Sequence, residues 1–283
     1  MNKKTIGIIG LGLIGGSLGL DLQNEGYRVL GVSRKQETCD IALFKGVCAE
    51  SSIDFKLLEE AEIIFLATPI SSIVSSLEKL IPHLNSQAIV TDVASVKKII
   101  VEQCSNLWPG FIGGHPMAGT AEQGINSAQF GLFRNAPYVL TPTERTLPEA
   151  VKSLKEIILA IGAKLFIANP QEHDGAVAWI SHLPVIISAA LLQGILIEAP
   201  ENIRHLAQNL ASSGFRDTSR VGGGNPELGA MMAKYNKQAL LRSVSGYQDT
   251  LKMMIELIEK ENWAGLTEIL ENTQSTRPKF LKE

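Results

Sequence analysis

The chain has 283 residues, 45% hydrophobic and 19% charged, the balance of a soluble globular protein long enough for two domains. A net charge of -3 supplies no basic field for nucleic acid. Cys39, Cys48 and Cys104 lack metal or redox spacing and read as reduced thiols of a cytosolic protein, so no metal is expected and the location is expected to be cytoplasmic. The amino-terminal glycines do not follow a signal-peptide pattern. No apolar run is expected to reach a membrane span, because "LPVIISAALLQGIL" from Leu183 is short and interrupted by Pro184, Gln193 and Gly194.

Residues 4–10, "KTIGIIG", predict a short buried strand, followed by a glycine-rich turn and a helix to about Glu25. Gly10, Gly12 and Gly15 fit G-x-G-x-x-G, with Leu13 and Ile14 inside the motif. Placed between a strand and a helix, the pattern reads as a dinucleotide cradle: a tight turn, backbone close to a pyrophosphate, and helix packed on strand. The second strand, "YRVLGVS", ends near Val32. An NAD site usually offers a carboxylate to the ribose here, whereas this chain offers Ser33, Arg34 and Lys35. A guanidinium suits a 2′-phosphate, so NADP is the expected cofactor; the alternative is that Arg34 and Lys35 are solvated loop charges.

Three more strands follow. "AEIIFLATP" ends at Thr68-Pro69, "AIVTDVAS" near Ser95 and "FIGGHPMAG" near His115. Ligands of open α/β sheets bind beyond the carboxyl ends of the strands, so Thr68, Pro69, Ser95 and His115 are expected along one crevice. "APYVLTP" and "AKLFIAN" supply the last strands of one doubly wound domain, residues 1–168. Taken alone, His115 is either a functional group or a polar residue in an ordinary Gly-Pro turn.

After Asn169-Pro170 the strand signals stop, and residues 169–283 read as an all-helical domain. Residues 171–196 predict one long helix kinked at Pro184, whose ring opposes the carbonyl of Ile180. It is apolar almost all round after His182, and a partner chain is the expected cover, hence a homodimer. Further helices are expected at roughly 201–211, 226–235, 237–260 and 262–272. The polar segment "SSGFRDTSRVGGGNP", with Arg216, Asp217 and Arg220, reads as a functional loop, and "STRPKFLKE" as a loose tail. His83, His173 and His205 stand outside any motif and read as surface or packing residues.

The motifs "GLGLIGGSL", "DVASVK", "GGHPMAGT", "SHLP" and "GFRDTSRVGGGNP", in this order, resemble the prephenate/arogenate dehydrogenase family of tyrosine biosynthesis over essentially the whole chain. Within it, the chain is most similar to the compact cyanobacterial-type arogenate dehydrogenases that use NADP. The resemblance implies a Rossmann-type domain followed by a helical dimerisation domain. It implies oxidative decarboxylation of arogenate, or alternatively prephenate, with hydride leaving ring C4. His115 would accept the hydroxyl proton, Ser95 would hydrogen-bond the same hydroxyl or His115, and Arg220 would bind a substrate carboxylate. Ser95 has a second reading, as N-cap of the helix beginning "VKKII". His182 is expected to face the substrate cleft or else to be a satisfied buried histidine. Gly113 and Gly114 are expected to let substrate and nicotinamide approach the backbone. Two rivals remain: β-hydroxyacid dehydrogenases, which share the architecture but whose helix lysine is missing between Gln171 and Leu196, and an NADP-sensing regulatory protein with the same cradle.

Overall fold

The computed structural model describes residues 3–120 and 122–281. They fall into two compact units, Met1–Asn236 and Lys237–Glu283.

The first unit is built on an eight-stranded sheet. In chain order its strands and their helices are β1 (Thr5–Ile9), α1 (Leu13–Asn24), β2 (Arg28–Val32), α2 (Gln36–Phe44), β3 (Glu50–Ser52), β4 (Ile63–Leu66), α3 (Ile73–Leu80), β5 (Ile89–Asp92), α4 (Lys98–Leu107), β6 (Phe111–Pro116), β7 (Pro137–Thr141), α5 (Pro148–Ala160) and β8 (Lys164–Ile167). Spatially the order is β3-β2-β1-β4-β5-β6-β7-β8. The central strands are continuous apolar runs because both faces are covered, as parallel sheets require. Their residues alternate between two cores. Ile6, Ile8 and Phe65 pack with Leu18 and Leu22 of α1 and with Leu154 and Ile157 of α5. Ile9, Ile64 and Leu66 pack on the other face with Leu77 of α3 and with Ile100 and Val101 of α4.

Two features depart from the sequence reading. The edge strand β3 was not expected, and its three polar-to-small residues offer no apolar run to announce it. The sheet is also mixed: β7 runs antiparallel to β6, and β8 is parallel to β7. The pairing sets His115 opposite Val139 and Gly114 opposite Leu140.

The helical part of this unit begins with α6 (Pro170–Val177). Asn169 Oδ1 accepts from the Gln171 amide at 2.8 Å, and Pro170 occupies the first turn, where its missing N–H is harmless. A π-helical turn, Ala178–His182, then leads into α7 (Leu183–Glu198). At the position of the expected proline kink this widened turn accommodates the ring of Pro184 and its absent donor without breaking the helix. The continuous helix Pro170–Glu198 is long and apolar enough, by length and composition, to cross a membrane, which corrects the expectation drawn from the run at Leu183 alone. Within the chain it is mostly uncovered, with Trp179, Ile180, Leu196 and Ile197 all more than half exposed.

Helices α8 (Glu201–Leu210), α9 (Ser213–Ser219) and α10 (Pro226–Tyr235) follow, with a 3₁₀ turn at Arg220–Gly223. The polar segment expected as a loop is therefore largely helical. Its turn sits directly on α7: the Gly222 amide donates to Ser188 Oγ at 2.8 Å, and a Cβ on Gly222 would lie 2.5 Å from the Ala189 nitrogen.

The second unit consists of α11 (Lys237–Glu259) and α12 (Trp263–Phe280), which pack on each other. Asn262 caps α12 through the Gly265 amide at 3.0 Å. The segment read as a loose tail is helical as far as Phe280, and its last two residues lie outside the described part.

Candidate active site

The cradle forms where β1 ends, at the point where strand order reverses between β1 and β4. Gly10 has φ +97, and a Cβ there would lie 2.5 Å from the Ala67 carbonyl oxygen. A Cβ on Gly15 would lie 2.0 Å from the Gly10 carbonyl oxygen. Both positions are closed to any other residue, because the turn carries β4 and α1 against its own backbone. Gly12 is the opposite case: nothing lies within 4 Å of where its Cβ would be. It immediately precedes Leu13, and α1 has no side-chain cap, so the positive end of the helix opens onto free space. Leu13 is buried and Ile14 packs on the core, fixing the helix at this angle. At the end of β4, Thr68 has a buried hydroxyl with no hydrogen-bond partner among the described residues, and Pro69 beside it is exposed. These residues fit the pyrophosphate and adjoining groups of a dinucleotide. Where β2 ends, Ser33 donates its amide to Ser52 O at 3.2 Å. Arg34 is exposed and forms no ion pair among the described residues.

His115 is the penultimate residue of β6 and is buried. Its Nδ1 is 2.8 Å from Nε2 of His173 on α6. His173 Nδ1 is in turn 2.8 Å from Asp174 Oδ1. The Asp174 carboxylate also caps α4, accepting the Lys97 amide at 2.7 Å and the Lys98 amide at 2.9 Å. One side chain of α6 thus ties the start of α4 to the imidazole beneath His115.

Behind the histidines, Lys97 is wholly buried and pairs with Asp92, which is buried as well. Lys97 Nζ also donates to Gly114 O at 2.6 Å, and the Gly114 amide donates to Asp92 Oδ1 at 3.0 Å. The strand that presents His115 is therefore clamped on both sides of residue 114. Asn236 Nδ2 donates to Asp174 O at 2.8 Å and lies 3.1 Å from His182 Nδ1. With Nδ1 accepting, His182 carries its proton on Nε2, which is buried and without a partner among the described residues.

Burial is the largest influence on both histidines. It drives the His115 imidazole well below its ordinary 6.5, and Lys97, His173 and His182 push the same way by charge repulsion. Burial lowers His182 to about 4 against the pull of Asp174. Burial lowers the Lys97 ammonium too, opposed chiefly by Asp92. A neutral imidazole, buried at the same carboxyl edge of the sheet as the cradle, can take a proton from a hydroxyl group.

Several sequence expectations need revising here. His173 is not a surface or packing residue but the direct partner of His115. Gly113 and Gly114 make room for protein, not for ligand: a Cβ on Gly113 would lie 2.4 Å from Thr141 Oγ1, and one on Gly114 would lie 2.6 Å from Asp92 O. Ser95 is half-buried and makes no hydrogen bond to His115 among the described residues. Nor does it cap α4, since Asp174 holds those amides. Arg220 is exposed in the turn that rests on α7, without an ion pair among the described residues. Asp92, Lys97, Asp174 and Asn236 were not singled out; the Glu172-His173-Asp174 sequence in the first turn of α6 is the signal that could have found two of the network's members.

A glycine cradle at the switch point of a Rossmann-type sheet, with a buried histidine at the same carboxyl edge, defines the class as a nicotinamide-dependent oxidoreductase. The family model for the nucleotide-binding domain of prephenate dehydrogenase matches residues 18–167, and that for its dimerization domain matches residues 169–272. The chain belongs to the prephenate dehydrogenase family. It is similar to arogenate dehydrogenase of Synechocystis, at 56% identity and a TM-score of 0.90, over 98% of this chain and 100% of that one. It is similar to prephenate dehydrogenase from A. aeolicus, solved with hydroxyphenyl propionate and NAD+, at 26% identity and a TM-score of 0.92 over 99% of each chain. Prephenate dehydrogenase of Bacillus subtilis is 33% identical over 92% of this chain and 71% of its own length.

Proposed function

We propose that this protein is an NADP-dependent arogenate dehydrogenase that makes tyrosine, acting as a cytoplasmic homodimer with residues 1–168 as cofactor domain and 169–283 as substrate and dimerisation domain. The observation that carries the chemistry is His115: a buried, neutral imidazole at the carboxyl edge of the sheet, with one ring nitrogen tied to His173. Similarity to the Synechocystis enzyme supports arogenate as substrate. Prephenate, giving 4-hydroxyphenylpyruvate, is the second reading, supported by the A. aeolicus and B. subtilis relatives.

Bound NADP would supply the acceptor for hydride from ring C4. His115 takes the C4 hydroxyl proton as the carbonyl forms, and Ser95 offers its hydroxyl to the same oxygen. The C1 carboxylate then leaves as CO2, its bonding electrons enter the ring, and the proton held on His115 returns to the phenolic oxygen. Gly10, Gly12, Leu13, Ile14 and Gly15 hold the pyrophosphate, with Thr68 and Pro69 flanking it. Ser33 and Arg34 meet the 2′-phosphate, where an unpaired guanidinium is the favourable partner. Arg220 binds a substrate carboxylate, and the free Nε2–H of His182 donates to a substrate oxygen. The segment after Arg220, "VGGGNPELG", has no further cation, and Asn225 is engaged in capping α10. A substrate side chain with an ammonium is better tolerated there than one needing a second positive charge.

Turnover with arogenate and prephenate, each with NADP and NAD, tests the reading. Arogenate with NADP should win by a factor of at least about ten, or 1.4 kcal/mol. His115→Asn should retain cofactor binding and lose roughly 10²- to 10⁴-fold in kcat. A rate above about a tenth of wild type would remove His115 from the chemistry.

A further inference from the structure

We propose that Asp174 and His173 are positioning residues that fix the tautomer of His115, keeping its proton on Nδ1 and leaving Nε2 as the ring's only free acceptor. This rests on the reading of His115 as proton acceptor.

The hydrogen-bond chain starts at Asp174. Both of its oxygens already accept backbone amides from the start of α4, so the carboxylate cannot turn away. It faces His173 Nδ1 at 2.8 Å, and a carboxylate accepts only, so that nitrogen must carry the proton. The other nitrogen of a neutral His173, Nε2, is then a lone pair. It meets His115 Nδ1 at 2.8 Å, which must supply the hydrogen. Neutral imidazole has one N–H, so His115 Nε2 is left bare. When Nε2 takes a proton, the Nδ1–H bond to His173 strengthens and orients the imidazolium for its return.

The chain of contacts joins three elements. Asp174 and His173 come from α6, the amides from α4 and His115 from β6. The charged and titratable groups around His115 are Lys97 with its partner Asp92, His173 with Asp174, and His182. Of these, only His173 touches its ring nitrogens. Lys97 acts on the strand backbone at Gly114 and on the field.

Asp174→Asn is the sharpest variant. Asp174 Oδ1 accepts from both His173 Nδ1 and the Lys97 amide, so an Asn whose oxygen stays on the Lys98 amide turns its NH2 to His173 Nδ1. His173 must then accept there, donate from Nε2, and drive the His115 proton onto Nε2, where it blocks the reaction. Tautomer reversal of this kind in a serine-protease triad costs about 10⁴ in kcat; a loss between about 10² and 10⁴ is expected here, with KM and cofactor affinity unchanged. His173→Gln, whose amide can accept from His115 and donate to Asp174, should retain much more activity than His173→Leu, which leaves Nδ1 without an acceptor. The 15N spectrum of histidine-labelled wild-type protein should show His115 Nδ1 protonated and Nε2 bare. The assignment should invert in Asp174→Asn. Should Asp174→Asn unfold because α4 loses its cap, the Gln and Leu pair and the wild-type spectrum still decide. His115 protonated on Nε2 in the wild type, or a folded His173→Leu variant with wild-type kcat, would overturn the proposal. Full activity in His115→Asn with the expected spectrum would instead defeat the proton-acceptor reading and leave the tautomer relation standing.

Discussion

The Lys97 ammonium is paired with the Asp92 carboxylate and both side chains are completely buried, directly behind the strand that carries His115. Removing one member of such a pair strands the other charge in a dry environment. Lys97→Met keeps most of the volume but leaves Asp92 with the Gly114 and Ala94 amides alone among the described residues. It should destabilise the protein by about 3–5 kcal/mol in urea denaturation. Adding Asp92→Asn should recover a large part of that loss, because no unpaired charge then remains. A single-variant cost below about 1 kcal/mol would make the pair energetically idle.

Stability should fall on acidification because of the buried histidines. Free in the unfolded chain, His182 titrates near 6.5. Folded, burial holds it at about 4. A depressed folded pKa means that the unfolded chain takes up the proton first. The stabilisation is therefore complete above pH 6.5 and is lost as pH falls toward 4. For His182 alone it amounts to about 3 kcal/mol by pH 4. His115 acts in the same direction. Urea midpoints measured from pH 7 down to pH 4 should decline, and His182→Gln should flatten the slope. An identical slope in the variant would show that His182 titrates normally in the folded protein.

Much of this architecture is written in local pattern. The G-x-G-x-x-G turn, the buried runs at Ile6 and Ile63, and the end of the sheet near Ile167 are all short-range signals, and the fold follows them. What escaped depends on contacts distant in sequence. Asp174 caps a helix that begins 76 residues earlier, so no local motif marks it. Ser95, by contrast, looks like a local cap and is not one. Gly113 and Gly114 suggest space for a ligand because sequence shows a missing side chain but not what fills the space; Thr141 and Asp92 fill it. The glycines and polarity of the Arg220 segment suggest a loop, whereas it forms helical turns tied to Ser188 on α7 through the Gly222 amide.

Cofactor choice should turn on Arg34, which is exposed where β2 ends and forms no ion pair among the described residues. Arg34→Asp replaces a phosphate partner with a group that repels phosphate and accepts from a ribose hydroxyl. The Kd for NADP should rise and that for NAD should fall, reversing a preference worth about 1.5–3 kcal/mol for a charged hydrogen bond. Isothermal titration with both nucleotides measures it. Unchanged NADP affinity would make Arg34 a solvated loop charge and move the 2′-phosphate elsewhere.

Association should depend on the uncovered helix Pro170–Glu198. Trp179 and Ile180 project from its π turn, and Leu196 and Ile197 from the end of α7, each more than half exposed. Exposed apolar side chains along one helix are costly in water and mark an interface. The family model described as a dimerization domain matches residues 169–272, which include this helix. Complete burial of one such side chain contributes about 1.5–3 kcal/mol, and a twofold interface uses each residue twice. Leu196→Glu and Ile197→Glu should therefore convert a dimer to monomer in light scattering at micromolar concentration. Each variant also places two like charges near the symmetry-related contact, so the shift should weaken as salt is raised. The alternative cover, a lipid bilayer, predicts wild-type protein that partitions into vesicles and needs detergent for extraction. Wild-type monomer free of vesicles would reject both.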